Sequence, residues 1–187
     1  MRRKSITWET IEAACWKQSM NPKQLFERAK VLLELYRRLC WKTRARAEDF
    51  SETITDFSSS DLQGALVYLE TFVPDKQKES FQSRVESLFE TKQLIDLVDT
   101  AMMRVKDFPD YGDEFFKIIS VKYLDRFKYT ESEVLEFLNM ERSTYYDKKK
   151  DAILVFAYCF WCGAIPKYKA MIESGNRMIE SDFPDEF

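Results

Sequence analysis

The stretch that decides the fold is Thr130–Trp161, "TESEVLEFLNMERSTYYDKKKDAILVFAYCFW". It opens acidic, turns basic at Lys148, Lys149 and Lys150, and ends in a long apolar run. Thr130 followed three residues later by Glu133 is the pattern of a capping box, in which hydroxyl and carboxylate satisfy two orphan backbone N–H groups reciprocally. A short helix, "ESEVLEFL", is predicted to follow, with Val134, Phe137 and Leu138 on one side. "NMER" reads as a tight break, because Asn139 can take the left-handed conformation that ends a helix. A second, longer helix then starts at Glu141 or Ser143. A short helix, a turn of three to four residues and a longer helix make a helix-turn-helix.

In that geometry Val134, Leu138, Met140 and Tyr145 meet inside the corner. Arg142, Ser143, Thr144, Tyr146 and Asp147 are left outside, on the first turns of the second helix. These are the side-chain types that reach base edges in a major groove. Lys148, Lys149 and Lys150 follow at once and suit phosphate. Ile153, Phe156, Ala157 and Phe160 share one face further on, predicted to dock on a helix holding Phe116, Ile119 and Tyr123. One helix then does two jobs, facing nucleic acid with one half and anchoring in the core with the other. The competing reading is an ordinary helical hairpin with a solvated lysine cluster. Glu131, Glu133, Glu136 and Asp151 favour it, since they leave residues 101–166 near neutral.

The rest of the chain supports a helical protein. Its 187 residues are 45% hydrophobic and 15% aromatic, with 4 glycines and 5 prolines. A sandwich or barrel needs more turn residues than that. Helices are predicted from about Thr7, capped by Thr7, to Ser19, and from Pro22, capped by Asn21, to about Arg46. The second carries Leu25, Ala29, Leu32, Leu33, Tyr36, Leu39 and Cys40 at helical spacing. "DFSETITDFSSSD" (49–61) reads as a polar connection, and a further helix runs from Ser60 or Asp61 until just before Pro74. One long helix is expected over Asp75–Lys106, broken by "FPDYG" (108–112), and another over "DEFFKIISVKYLDRF" (113–127). The tail is expected to break at Gly163 and Pro166.

Net charge is −3 but unevenly spread. Residues 1–46 hold 12 Lys/Arg against 4 Asp/Glu, and residues 47–100 hold 4 against 12. The basic segment, with Trp8, Tyr36 and Trp41 among its cations, fits a nucleic-acid backbone. Equally, Arg37, Arg38, Lys42, Arg44 and Arg46 fit pairing with the acidic middle helices. No run approaches the roughly 18 apolar residues of a membrane span, and no signal peptide is expected. "CFWC" (Cys159, Cys162) has the spacing of a redox or metal motif, but zinc needs a second pair and the chain has no histidine. Cys15 and Cys40 would have to converge from separate helices, so a core reading is favoured. Without histidine the commonest general base is missing. Asp96/Asp99 and Asp110/Asp113 read as solvated faces or caps, and no glycine-rich phosphate loop is present.

The segment "ESEVLEFLNMERSTYYDKKKDAI" resembles the region that reads promoter DNA in sigma factors. It is more similar still to phage transcriptional regulators of the ArpU type. Their pattern falls here on Glu133, Val134, Leu138, Met140, Ser143, Thr144, Tyr146, Lys149 and Lys150, with Ala152 and Ile153 behind. "KIISVKYLDRFKYT" resembles the preceding helix of that family, so the likeness spans residues 114–160. Glu141 departs from it, standing where a small Ser or Thr often begins the recognition helix.

The expectation is an all-α helical bundle with a C-terminal helix-turn-helix. It divides into an N-terminal helical region (1–110), a DNA-binding region (111–163) and a partly helical, acidic tail (164–187). The expected function is that of a sequence-specific transcriptional regulator of bacterial or phage type. The alternative is a helical interaction module that binds an acidic partner without DNA. The DNA-contacting candidates are Arg142, Ser143, Thr144, Tyr146, Asp147, Lys148, Lys149 and Lys150. The expected partner is double-stranded DNA, with RNA polymerase and a second copy of the chain as further candidates. No catalytic residue, metal, cofactor or membrane partner is expected, and the expected location is cytoplasmic.

Overall fold

A computed structural model describes residues 5–49, 59–89 and 91–181. Among them the chain is all-helical, with nine α-helices and two π-helical turns. No described helix is long and apolar enough to cross a membrane.

Helix α1 (Ile6–Lys17) buries Trp8, Ile11 and Cys15, spaced three and four apart. Its cap is Ser5, not Thr7: the Ser5 hydroxyl accepts from Trp8 N at 3.0 Å. The same hydroxyl donates to Asp151 Oδ1 at 2.7 Å, so the cap also ties α1 to the C-terminal half. Helix α2 (Pro22–Asp49) starts as predicted, with Asn21 Oδ1 accepting from Lys23 N at 3.0 Å and Gln24 N at 3.3 Å. Its stripe Leu25, Ala29, Leu32, Leu33, Tyr36 and Leu39 is buried. The polar connection falls mostly outside the described residues, and α3 (Ser59–Thr71) follows it.

The long helix expected over 75–106 is two helices, α4 (Pro74–Leu88) and α5 (Thr91–Lys106). Phe89 is extended (φ −115°, ψ 138°) and its ring is buried. The cause lies in the phase of the apolar stripe. Phe81 and Val85 are buried in α4; Leu94, Leu97, Val98, Ala101, Met102 and Val105 are buried in α5. At about 100° per residue, one straight helix would put the two sets on opposite sides. Breaking at Phe89 lets both face the core.

Helix α6 (Gly112–Ile119) follows a left-handed Tyr111 (φ 63°). A Cβ at Gly112 would lie 2.4 Å from Lys106 O, so the close approach of α6 to the end of α5 requires glycine. The helix expected to run to Phe127 leaves α geometry earlier, in a π-helical turn over Ser120–Leu124. Arg37 holds that turn, donating to Lys122 O (3.0 Å) and Asp125 O (2.7 Å). Two further helices, α7 (Glu131–Leu138) and α8 (Arg142–Cys159), come from the opening stretch. The expected break at Gly163 and Pro166 does not occur. A second π-helical turn, Phe160–Ala164, carries the chain into α9 (Ile165–Ser181). Its wider ring, Ile165 N–H to Phe160 O, shifts the hydrogen-bond register just before Pro166, which has no N–H to donate.

Helix α8 is the central element, packing on α1, α2, α5 and α6. Its residues Ile153, Phe156 and Ala157 are buried, as is Phe160 at the start of the π-helical turn that follows. On α6 the buried side chains are Phe115, Ile118 and Ile119, whereas Phe116, and Tyr123 in the π-helical turn that follows, are only half-buried. Trp161 Nε1 donates to Leu69 O at 2.8 Å, fastening α3 to the second π turn. The buried side chains form one cluster from Trp8 to Ile165, so the core crosses the expected boundary at 110/111.

Candidate nucleic-acid interface

The corner between α7 and α8 is built by local chemistry. Thr130 Oγ1 accepts from Glu133 N, and Glu133 Oε2 accepts from Thr130 N at 2.7 Å, which completes the capping box. The Thr130 backbone N–H most, and then the Thr130 hydroxyl, which donates to Glu133 Oε2 at 2.8 Å, hold the Glu133 carboxyl below its ordinary range. At the other end Asn139 is left-handed (φ 48°, ψ 50°). Asn139 N bonds Glu136 O and Met140 N bonds Leu135 O, both at 3.1 Å. This is a Schellman ending with asparagine where glycine is usual. Val134 and Tyr145 are buried in the corner, with Leu138 and Met140 half-buried. Phe137, expected on the same apolar side, is exposed, with its ring edge-on to that of Tyr129 at 5.0 Å. A helix of eight residues that packs along one narrow stripe has no room for it on the buried face.

The first turns of α8 leave Arg142, Ser143, Thr144, Tyr146 and Asp147 exposed, as expected. They are not bare. Glu131 holds two of them: its Oε1 pairs with Arg142 Nε at 2.7 Å and its Oε2 accepts from Tyr146 Oη at 2.8 Å. The Arg142 guanidinium also lies 5.9 Å from the Tyr146 ring centroid. Glu141, the cap of α8, makes no side-chain capping bond, so the N–H groups of that first turn receive nothing from it.

The three lysines do not form one row. Consecutive residues on a helix point about 100° apart. Lys148 pairs with Glu114 and lies 4.6 Å from the Tyr111 ring. Lys149 sits 4.5 Å from the Tyr146 ring and 5.4 Å from that of Tyr145. Its ammonium is pushed below the usual lysine range, first by burial and then by Lys122. Lys150 lies 4.8 Å from the Trp8 ring. In each case the ammonium group itself lies over an aromatic ring, that of Tyr111, Tyr146 or Trp8. That explains why three lysines stand directly below an apolar run.

Glu131, Glu114 and Tyr111 were not singled out as site residues from the sequence. Of the N-terminal cations, Arg37 serves carbonyls, Arg38 meets Gln82 Oε1 at 3.2 Å, and Arg28 donates to Phe72 O at 2.9 Å. Lys42, Arg44 and Arg46 have side chains outside the described residues. Asp96 and Asp99 line a groove of about 450 Å³ with Lys167 and Tyr168 between α5 and α9. Burial, with Asp96 next, raises the Asp99 carboxyl. Among the described residues no three His, Cys, Asp or Glu converge to hold a metal ion.

Compared with protein-family models, curated proteins and solved structures, the chain matches none.

Proposed function

We propose that this protein is a sequence-specific DNA-binding transcriptional regulator of bacterial or phage type, with α7 and α8 acting as a helix-turn-helix. The carrying observation is the division of α8. Its first turns present Arg142, Ser143, Thr144, Tyr146 and Asp147 to solvent, while its second half is buried on four helices. A helix held so firmly at one end and open at the other suits insertion into a major groove. The similarity of residues 114–160 to the promoter-reading region of sigma factors and to ArpU-type regulators points the same way. In this reading Arg142, Ser143, Thr144, Tyr146 and Asp147 read bases, and Lys148, Lys149 and Lys150 reach phosphates by leaving their present partners. RNA polymerase and a second copy of the chain are the protein partners such a regulator implies.

The test is selection of bound sequences from a random duplex pool, followed by titration at several salt concentrations. The reading expects an enriched motif and affinity that falls steeply with salt. Arg142→Ala and Thr144→Ala should each relax preference at one base pair, by about 1–3 kcal/mol where the side chain makes a good base-edge pairing. A pool that stays random, with no salt-dependent binding, overturns it.

A further inference from the structure

The ends of α1 and α8 bring three sulfur atoms together from distant parts of the chain. Helix α1 ends in a Schellman turn: Ser19 is left-handed (φ 57°), Ser19 N bonds Trp16 O, and Met20 N bonds Cys15 O, both at 3.0 Å. That turn folds Met20 back over Cys15. From the other side, the second π-helical turn carries Cys162 to the same place. Cys162 Sγ lies 3.3 Å from Met20 Sδ, and the Cys15 side chain is near enough to interact with Cys162. Gln18 Nε2 donates to Tyr158 Oη at 3.2 Å and clamps the two helix ends beside the cluster. Both cysteines are free thiols.

The geometry points to a binding site for a soft monovalent metal ion, copper(I), with Cys15, Cys162 and Met20 as ligands. Two thiolates and a thioether are the donor set that selects copper(I). Zinc prefers four nitrogen, sulfur or carboxylate donors in a tetrahedron, and only three sulfurs converge here. With metal–sulfur bonds of about 2.3 Å, a trigonal ion separates its ligands by about 4 Å. The Cys162–Met20 contact must therefore open by well under one ångström, which half-exposed side chains can do. Binding releases both thiol protons, and copper(I) with two thiolates carries one net negative charge. Arg104 is placed to balance it: its guanidinium lies across Gly163, where a Cβ would be 2.0 Å from Nη1. Cys15 is fully buried, whereas Cys162 and Met20 are partly open and give the ion its way in.

The experiment is an anaerobic titration of the reduced full chain with copper(I) against the chromophoric chelator bicinchoninate. The site predicts that one copper per chain is withheld from the chelator, with a thiolate-to-copper charge-transfer band in the ultraviolet. Cys162→Ser should abolish this, and Met20→Leu should weaken it by roughly tenfold or more, as loss of a supporting group does at metal sites. Cys40→Ser and Cys159→Ser should bind like the parent. Cys162 is half-exposed, so its variant is expected to keep the parent's helical circular dichroism, and Cys15→Ser serves as a second variant where it does the same. Three results overturn the proposal: a parent with four titratable thiols that yields all its copper to the chelator, a Cys162→Ser variant that retains it, or zinc held as tightly as copper(I).

Discussion

Replacing Glu131 by glutamine tests both how the exposed face of α8 is held and the proposal that this face binds DNA. The carboxylate makes two contacts, to Arg142 Nε at 2.7 Å and to Tyr146 Oη at 2.8 Å. Arg142 is 72% exposed and Glu131 37%, so the pair is solvent-screened. An exposed pair of this kind contributes about 0.2–1 kcal/mol. Glu131 also stands in the first turn of α7, where a negative charge adds about 0.3–1 kcal/mol through the helix dipole. Glutamine keeps an acceptor for Tyr146 and loses both charge effects, so stability should fall by about 0.5–2 kcal/mol. For a chain of this size that lowers the melting temperature by roughly 1–8 °C. DNA binding should move the other way. Arg142 must leave Glu131 to reach a base edge, and removing that competition tightens binding by about 1.4- to 5-fold. Fluorescence anisotropy on the selected site measures it, with Arg142→Ala as the second arm of a double-mutant cycle. In the Arg142→Ala background the gain should shrink. Weaker binding by Glu131→Gln would refute the reasoning, because Glu131 would then be positioning Arg142 within the complex. An equal gain with and without Arg142 would mean that only the general repulsion between carboxylate and phosphate had been relieved.

Changing Lys148, Lys149 and Lys150 together to glutamine should weaken binding about equally for target and random DNA. The slope of log affinity against log salt should fall by roughly one unit for every phosphate no longer neutralised, and an unchanged slope means the lysines serve only the rings and Glu114. Phe156 is fully buried beside Phe160, at a centroid distance of 5.6 Å, so Phe156→Ala should cost about 3–5 kcal/mol in a denaturant titration. A loss below about 1 kcal/mol would place the side chain outside the core. The Tyr145 hydroxyl is buried and has no hydrogen-bond partner among the described residues. Tyr145→Phe should therefore leave stability unchanged or raise it by about 1 kcal/mol, a rise of roughly 2–4 °C in melting temperature. A clear drop would mean the hydroxyl is satisfied in solution.

What could be read from the sequence is what short spacing encodes. The Thr130–Glu133 box, the Asn139 ending, the Asn21–Pro22 start and the α2 stripe each depend on residues within a few positions of one another, and each is found. The split of α4 from α5 is written in the phase of the apolar stripe rather than in its presence. Between Phe89 and Leu94 the apolar residues skip to the far side of a helix, which only a break can accommodate. Pro166 misled because a proline ends an α-helix by removing one hydrogen bond, and a π-helical turn had already shifted the register ahead of it.

The candidate site behaves differently, since its chemistry depends on partners that no local pattern announces. Lys148 and Glu114 are 34 residues apart, Glu131 and Tyr146 are 15, Ser5 and Asp151 are 146, and Met20 and Cys162 are 142. In the sequence, Glu131 and Glu136 counted simply as negative charge that opposes DNA binding. In the fold Glu131 has a specific task, shielding a guanidinium and a phenol, while Glu136 remains an exposed carboxylate on α7. The lysine run likewise looked like one patch, although helical geometry sends its three heads towards α6, towards Tyr146 and towards α1. A DNA-binding reading therefore has to include the exchange of partners. Glu114 and Glu131 must give up their cations to phosphates and bases, and the aromatic rings of Tyr111, Tyr146 and Trp8 must release ammonium groups. Those exchanges replace exposed or part-buried interactions, of a few tenths of a kcal/mol to about 2 kcal/mol each. They are small beside the salt-dependent gain from neutralising phosphate. If the proposed function holds, the carboxylates would moderate affinity rather than forbid binding, and would moderate it most for DNA that offers Arg142 no base edge in return.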